Sequence, residues 1–324
     1  MNGTDEGEDG HHPYYLVSGS ESYFSSMIPE EVRRAQQAIG HYLATVVYPN
    51  DPVVWVDLEE VRNLLKACVG QITQTLGDIP IVSLSPLYYP YAEEFIDCNR
   101  IVSTGGFPLG LGPRPGKPDL QQQVAQLIAR HPGQSFVLVD DMLFHGETVV
   151  HLQSFGLPVL AVAAAFSTAE GKELLEERGV KVWVGHSLGT NLRDMMPLHD
   201  FLPPLPLCGK VVGNKIQTIM PTSMNGLSFS LPYLLPWVTP SQLASIASVP
   251  EQHALGFSAL CLNLSMDIFS ALADKRNIRR VVDLKSFEPR ASCPYVDEDL
   301  CEDEEIVEML DKARDRLGLP LAVH

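Results

Sequence analysis

Apolar positions along this chain follow two different periods, and the change between them divides the sequence. From Pro29 to Val47, and again from Leu58 to Leu76, they recur every three or four residues, as on one face of a helix. Pro29 suits a first turn, Glu30 and Glu31 complement the positive helix end, and VRRAQQAIGHYLATVV supplies the stripe. A second helix, LEEVRNLLKACVGQITQTL, is predicted to begin after Asp57 as N-cap and to stop at Gly77. Both helices are expected to pack against a sheet.

From Ile79 the pattern shortens. IPIVSLS and NRIVSTGG read as short strands, with SPLYYPYAEEF between them. FPLGLGPRPGKPDL is dense in Gly and Pro and reads as a mobile loop carrying the cations Arg114 and Lys117. Asp119 is placed to cap the helix LQQQVAQLIAR, which closes at HPG. FVLVDD reads as a strand, MLFHG as a tight loop and ETVVHLQSFG as a short helix. LPVLAVAAAF, TAEGKELLEERG and VKVWV then add strand, helix and strand. Alternation of this kind indicates βαβ units, whose parallel strands are covered on both faces and bind ligands beyond their carboxyl ends. After about residue 190, Pro and Leu blur the pattern. There SALCLNLSMDIFSALADK reads as an amphipathic helix, RRVVDL as a strand, and EEIVEMLDKARDRLG as a terminal helix ended by Gly318.

Charge changes the picture only at two places. The net charge is −17, but residues 1–22 and 297–308 contain acids and no Lys or Arg, so the remaining body is mildly acidic. An extended nucleic-acid surface is excluded, because phosphate backbones are held by clustered cations. A small basic pocket for one phosphorylated ligand is compatible with this balance. The six cysteines form no CxxC pair and no metal-like grouping with histidines, which fits free thiols in a reducing compartment. The N-terminal residues lack a basic and then apolar leader pattern. No apolar run approaches the roughly 20 residues that span a bilayer. A cytoplasmic protein without membrane association is expected.

The chemistry concentrates in Phe136–Thr148, FVLVDDMLFHGET. A hydrophobic strand, two adjacent acids, a short loop and a helix follow one another, and this order resembles the type I phosphoribosyltransferases. The resemblance extends over about residues 79–187 and implies an α/β fold, with a mostly parallel sheet flanked by helices. It also implies roles. Asp140 and Asp141 would accept hydrogen bonds from ribose hydroxyls, and the loop Phe144, His145, Gly146, Glu147 and Thr148 would wrap a 5′-phosphate at a helix N-terminus. Gly146 matches a loop glycine and Thr148 the closing hydroxyl. Phe144 and His145 stand where the family usually has small or hydroxyl residues, and Glu147 where it usually has glycine. Arg114 and Lys117 occupy the region of the family's flexible catalytic loop, where they would touch pyrophosphate. Mg²⁺ would bridge the diphosphate and ribose hydroxyls, with Asp140 and Asp141 as indirect partners. The implied reaction transfers a ribosyl 5-phosphate from phosphoribosyl pyrophosphate to an unidentified nucleophile.

A second motif competes. Gly185-His186-Ser187-Leu188-Gly189 fits the G-x-S-x-G elbow of serine hydrolases and follows the strand VKVWV. Such an enzyme needs an acid and then a histidine downstream of the serine. Asp283 would serve as the acid, but His199 and His253 precede it and only the terminal His324 follows.

The expected organisation is a disordered acidic tail at residues 1–25, a phosphoribosyltransferase-like α/β domain at 26–200, and an accessory region at 201–324. The terminal segments on either side of the core are expected to be α-rich. Non-catalytic binding of a phosphoribosyl or nucleotide ligand is the alternative to transfer, and a homodimer is left open.

Overall fold

The computed structural model describes residues 12–19, 22–103, 108–113, 117–189, 192–203, 211–213, 232–287 and 303–318. Its contacts divide the chain into two compact units, one of Met1–Tyr14, Val56–Asn99 and Leu111–Met195, the other of Tyr15–Trp55, Arg100–Gly110 and Met196–His324.

The first unit is built on a five-stranded sheet. Its strands, numbered along the chain, are β1 (Ile81–Ser83), β2 (Glu94–Phe95), β3 (Phe136–Leu143), β4 (Val159–Ser167) and β5 (Lys181–Ser187). They lie in the order β2-β1-β3-β4-β5 and every adjacent pair is parallel. Val82 stands beside Leu138, Leu138 beside Val162 and Val162 beside Val182, so branched apolar side chains line up across the sheet. One face of the sheet takes α1 (Leu58–Leu76), which packs on β3, β4 and β5. Asp57 caps that helix by accepting the Glu59 N–H at 2.7 Å, and Gly77 ends it at φ 85°.

The opposite face is covered by α2 (Leu120–Arg130), α3 (Glu147–Ser154) and α4 (Ala169–Glu177). Leu120, Val124 and Leu127 of α2, Val149 and Leu152 of α3, and Leu175 of α4 join Val82, Leu138 and Val162 in one buried cluster. Leu138 sits at the centre of the sheet and is fully buried, so Leu138→Ala should cost about 2–5 kcal/mol. Asp119 caps α2 through the Gln122 N–H at 2.8 Å. Strand β2 is short, and its Glu94 binds Arg130 (Nη2–Oε2 2.6 Å) and His131 (Nε2–Oε1 2.9 Å) at the end of α2.

The second unit is centred on the helix Glu251–Arg276. The helices Pro29–Tyr42, Pro240–Ala247 and Ile306–Arg316 pack against it, with Phe257 edge-on to Phe201 and Phe269 edge-on to Phe24. Among the described residues Glu251–Arg276 is the one helix long and apolar enough to cross a membrane, where no such span is expected from the sequence. Asn263, Ser265 and Asp267 interrupt its apolar run and hid its length. Half of its most apolar stretch is buried inside the fold, as for a core helix.

Several other expectations are corrected. The helix Pro29–Tyr42 belongs to the second unit rather than to the sheet, and it runs on into a π-helical turn at Leu43–Val47. Tyr14–Ser18 is a strand with Tyr14, Leu16 and Val17 buried, inside the stretch expected to be a disordered tail. The stretch FPLGLGPRPGKPDL, expected to be a loop, contains the strand Pro108–Pro113. Cys98–Ser103 is a strand, but it pairs with Val211–Gly213 in a separate sheet. RRVVDL forms 3-10 turns at Val281–Phe287, because Asp283 accepts the backbone N–H groups of Arg279 (2.8 Å) and Arg280 (2.9 Å) and curls the chain. Strand β3 also runs on to Leu143, two residues past the acid pair.

Candidate functional site

Asp140 and Asp141 lie near the carboxyl end of β3, the central strand of the sheet, where ligands bind in parallel α/β folds. Side chains alternate along a strand, so Asp140 shares a face with Leu138, and Asp141 shares the opposite face with Val139. Asp140 pairs with Ala164 of β4, and its carboxylate accepts the Asp141 N–H at 3.1 Å. Both aspartates are half-buried. The end of β1 runs alongside, with the Leu84 N–H donating to the Val139 carbonyl at 2.9 Å. Just there the buried Ser83 hydroxyl donates to the Ser85 carbonyl at 2.9 Å and accepts the Ser85 N–H at 3.3 Å. The sequence reading did not single out these two serines. Their signal was a pair of hydroxyl residues spaced two apart at a strand end.

The loop after β3 is short and firmly held. Gly146 is buried at φ 70°, a left-handed conformation, and begins α3 without any side-chain cap. A Cβ there would stand 3.2 Å from Leu175 and 3.3 Å from the Gly171 carbonyl oxygen, so the site is tight, and the left-handed conformation favours glycine. The backbone N–H groups that open α3 point away from the helix and carry partial positive charge. Glu147 is the first residue of the helix and is exposed, while Thr148 is half-buried. As an acid in the first turn, Glu147 complements the partial positive charge of that helix end.

The beginning of α4 holds the loop from behind. Thr168 donates its backbone N–H to the Leu143 carbonyl at 3.1 Å and its hydroxyl to the Phe144 carbonyl. The same hydroxyl caps α4 by accepting the Gly171 N–H at 3.1 Å. His145 is exposed and its Nδ1 lies 3.2 Å from the Glu170 carboxylate. The Phe144 ring is half-buried and lies tilted against the His145 ring, with centroids 6.3 Å apart.

Lys117 pairs with Asp97 at 3.2 Å. Gln123 fixes that arrangement by accepting the Asp97 N–H at 2.8 Å and donating to the carbonyls of Pro118 (2.8 Å) and Asp97 (3.2 Å). Arg114 lies outside the described residues. Among the described residues, no group of three or more His, Cys, Asp or Glu side chains is arranged to hold a metal ion.

The rival motif does not form an elbow. Ser187 is the last residue of β5 and pairs with Ser167, whose carbonyl accepts the Leu188 N–H at 2.8 Å. The backbone at Ser187 is not at positive φ, whereas a nucleophile elbow places its serine in a strained turn that leads into a helix. Asp283 is engaged in its own 3-10 turn, His199 is buried beside Asp200 (Nε2–Oδ1 3.4 Å), and His324 lies outside the described residues.

No family model matches the chain, and no curated protein matches it either. Solved structures do. The protein TT1426 of Thermus thermophilus is 15% identical with a TM-score of 0.28, and the match covers 40% of this chain and 83% of that one. The orotate phosphoribosyltransferase of Aeropyrum pernix is 20% identical with a TM-score of 0.21, covering 40% and 70%. That of Mycobacterium tuberculosis, solved with inorganic phosphate, is 17% identical with a TM-score of 0.21, covering 40% and 71%. Likenesses this distant carry nothing about ligand or activity. The chain's own geometry shows an α/β unit with a parallel sheet flanked by helices. From Phe136 to Ser187 it also shows the order strand, acid pair, loop, helix, strand, helix, strand that the resemblance to type I phosphoribosyltransferases implied.

Proposed function

We propose that the first unit binds a phosphorylated ribosyl ligand of the phosphoribosyl pyrophosphate class at the end of β3 and transfers its ribosyl 5-phosphate to a nucleophile. The observation that carries this reading is the succession of the two carboxylates Asp140 and Asp141, the left-handed Gly146 and the helix α3 that starts without a side-chain cap. Adjacent carboxylates suit the two vicinal hydroxyls of ribose, because each ionised acid accepts hydrogen bonds and donates none. The loop glycine lets backbone N–H groups approach an anion closely.

Two adjacent carboxylates fit a Mg²⁺ ion that arrives with the diphosphate, since this ion keeps its waters and uses few protein groups. When bound, it would neutralise charge on the leaving pyrophosphate. The protein's part is to orient the ribose through Asp140 and Asp141 and to hold the phosphate end against Gly146 and Thr148. Buried, reduced thiols at Cys68 and Cys261 support a cytoplasmic setting.

Glu147 favours a second reading, in which the site binds such a ligand without turning it over. It is an acid in the first turn of α3, where it competes with an anion for the positive helix end, and Lys117 is paired with Asp97. Calorimetric titration of phosphoribosyl pyrophosphate into the full chain tests the shared part of both readings. Binding that requires Mg²⁺ and is lost in Asp141→Asn is expected, and no heat at millimolar ligand would remove both.

A further inference from the structure

The loop that would meet the phosphate is shaped by residues outside the motif that contains it. Phe144 and Leu143 turn their carbonyl oxygens toward the start of α4, where Thr168 takes both: its N–H donates to Leu143 and its hydroxyl to Phe144. The hydroxyl is then held by a third partner, the Gly171 N–H at 3.1 Å. Gly171 lets this happen. A Cβ at that position would lie 2.8 Å from the Leu143 carbonyl oxygen and closer still to that of Phe144, so any larger residue would push the loop away. On the other side, the Gly146 backbone sits 3.2–3.3 Å, measured from its absent Cβ, from Leu175 and the Gly171 carbonyl of the same helix.

With its carbonyls turned toward α4, the loop presents its opposite edge, and the N–H groups opening α3, to the space beyond the sheet. The His145–Glu170 pair adds a third tie, but both side chains are more than half exposed, so it is worth little. The less exposed contacts are those of the half-buried Thr168 and the buried Gly171.

We infer that Thr168 is the positioning residue of the ligand loop: its hydroxyl fixes the Phe144 carbonyl and thereby aims the backbone at the start of α3. This deepens the phosphoribosyl reading and rests on it for the identity of the ligand. A valine at this position keeps the shape and removes the hydroxyl, and a serine restores it. Both variants also keep the N–H bond to Leu143, so only the hydroxyl is tested.

The experiment compares wild type, Thr168→Val and Thr168→Ser as full chains in two measurements. One is the affinity for phosphoribosyl pyrophosphate with Mg²⁺; the other is amide hydrogen exchange along the chain without ligand. The expected result is about tenfold weaker binding in Thr168→Val and recovery in Thr168→Ser. Exchange should rise in Thr168→Val within residues 142–150 while that of α1 and β4 stays at the wild-type level. Unchanged exchange at 142–150, or a rise spread over the whole unit, would overturn the inference. If wild type itself binds no phosphoribosyl pyrophosphate, the ligand reading fails, and the exchange measurement still decides the role of Thr168.

Discussion

Gly185 lies directly against Leu64: a side chain there would bring its first carbon within 2.8 Å of the Leu64 Cβ and 2.9 Å of the Ala165 carbonyl oxygen. The first glycine of the G-x-S-x-G match is thus explained by α1 packing on β5 rather than by an elbow. Gly185→Ala should destabilise the protein by about 1–3 kcal/mol, since an inserted carbon has no room. Ser187→Ala, at an exposed strand end, should stay within about 0.5 kcal/mol. Denaturant unfolding of the two variants checks this. Equal and small effects would mean that α1 gives way freely, and esterase activity lost only in Ser187→Ala would restore the hydrolase reading.

Glu147 sets the charge at the start of α3. Replacing it by Gln keeps size and removes the repulsion toward an incoming phosphate. Glu147→Gln should bind phosphoribosyl pyrophosphate about fivefold more tightly, and the gain should shrink in high salt. An unchanged affinity would show that the carboxylate faces away from the ligand.

Glu94 gives the parallel unit a dependence on acid. The Arg130 guanidinium, bonded to both carboxylate oxygens, holds Glu94 below the usual carboxylate range, against burial and with help from His131. A depressed folded value means stability that is present above the unfolded value of about 4.3 and is lost as pH falls through the folded one. Wild type should therefore exceed Glu94→Gln in urea midpoint at neutral pH, and the gap should close as pH drops below about 4. A gap independent of pH would mean that the pair contributes only shape.

Burial pushes the Cys68 thiol up and the Cys261 thiol well up, so neither presents a thiolate near neutral pH. In the native protein at about pH 8, a disulfide-exchange reagent should leave both unmodified by peptide mass mapping, and guanidinium should expose both. Rapid native labelling of Cys261 would contradict its placement in the core of the second unit.

Local chemistry made much of the first unit legible. Asp57, Asp119 and Gly77 mark helix ends that the structure places where the sequence put them, because capping depends on residues next to one another. The βαβ alternation from Phe136 to Ser187 was legible for the same reason. Features set by distant partners were not. Tyr14–Ser18 is flanked by acids, Gly and Ser, and reads as tail until its burial is seen. Pro108–Pro113 contains the residues that usually break strands. VVD is too short for its period to separate a strand from a turn. At the site, the acid pair and Gly146 were readable from the motif, whereas the pairing of Lys117 with Asp97 and the hold of Thr168 on Phe144 are tertiary.

The central claim is that the end of β3 receives a ribosyl ligand through Asp140 and Asp141. The most direct test is a crystal structure of the full chain with phosphoribosyl pyrophosphate and Mg²⁺. Ribose hydroxyls should lie within hydrogen-bonding distance of both carboxylates, with the 5′-phosphate against Gly146 and Thr148. Ligand bound elsewhere, with Asp140 and Asp141 untouched, would contradict it.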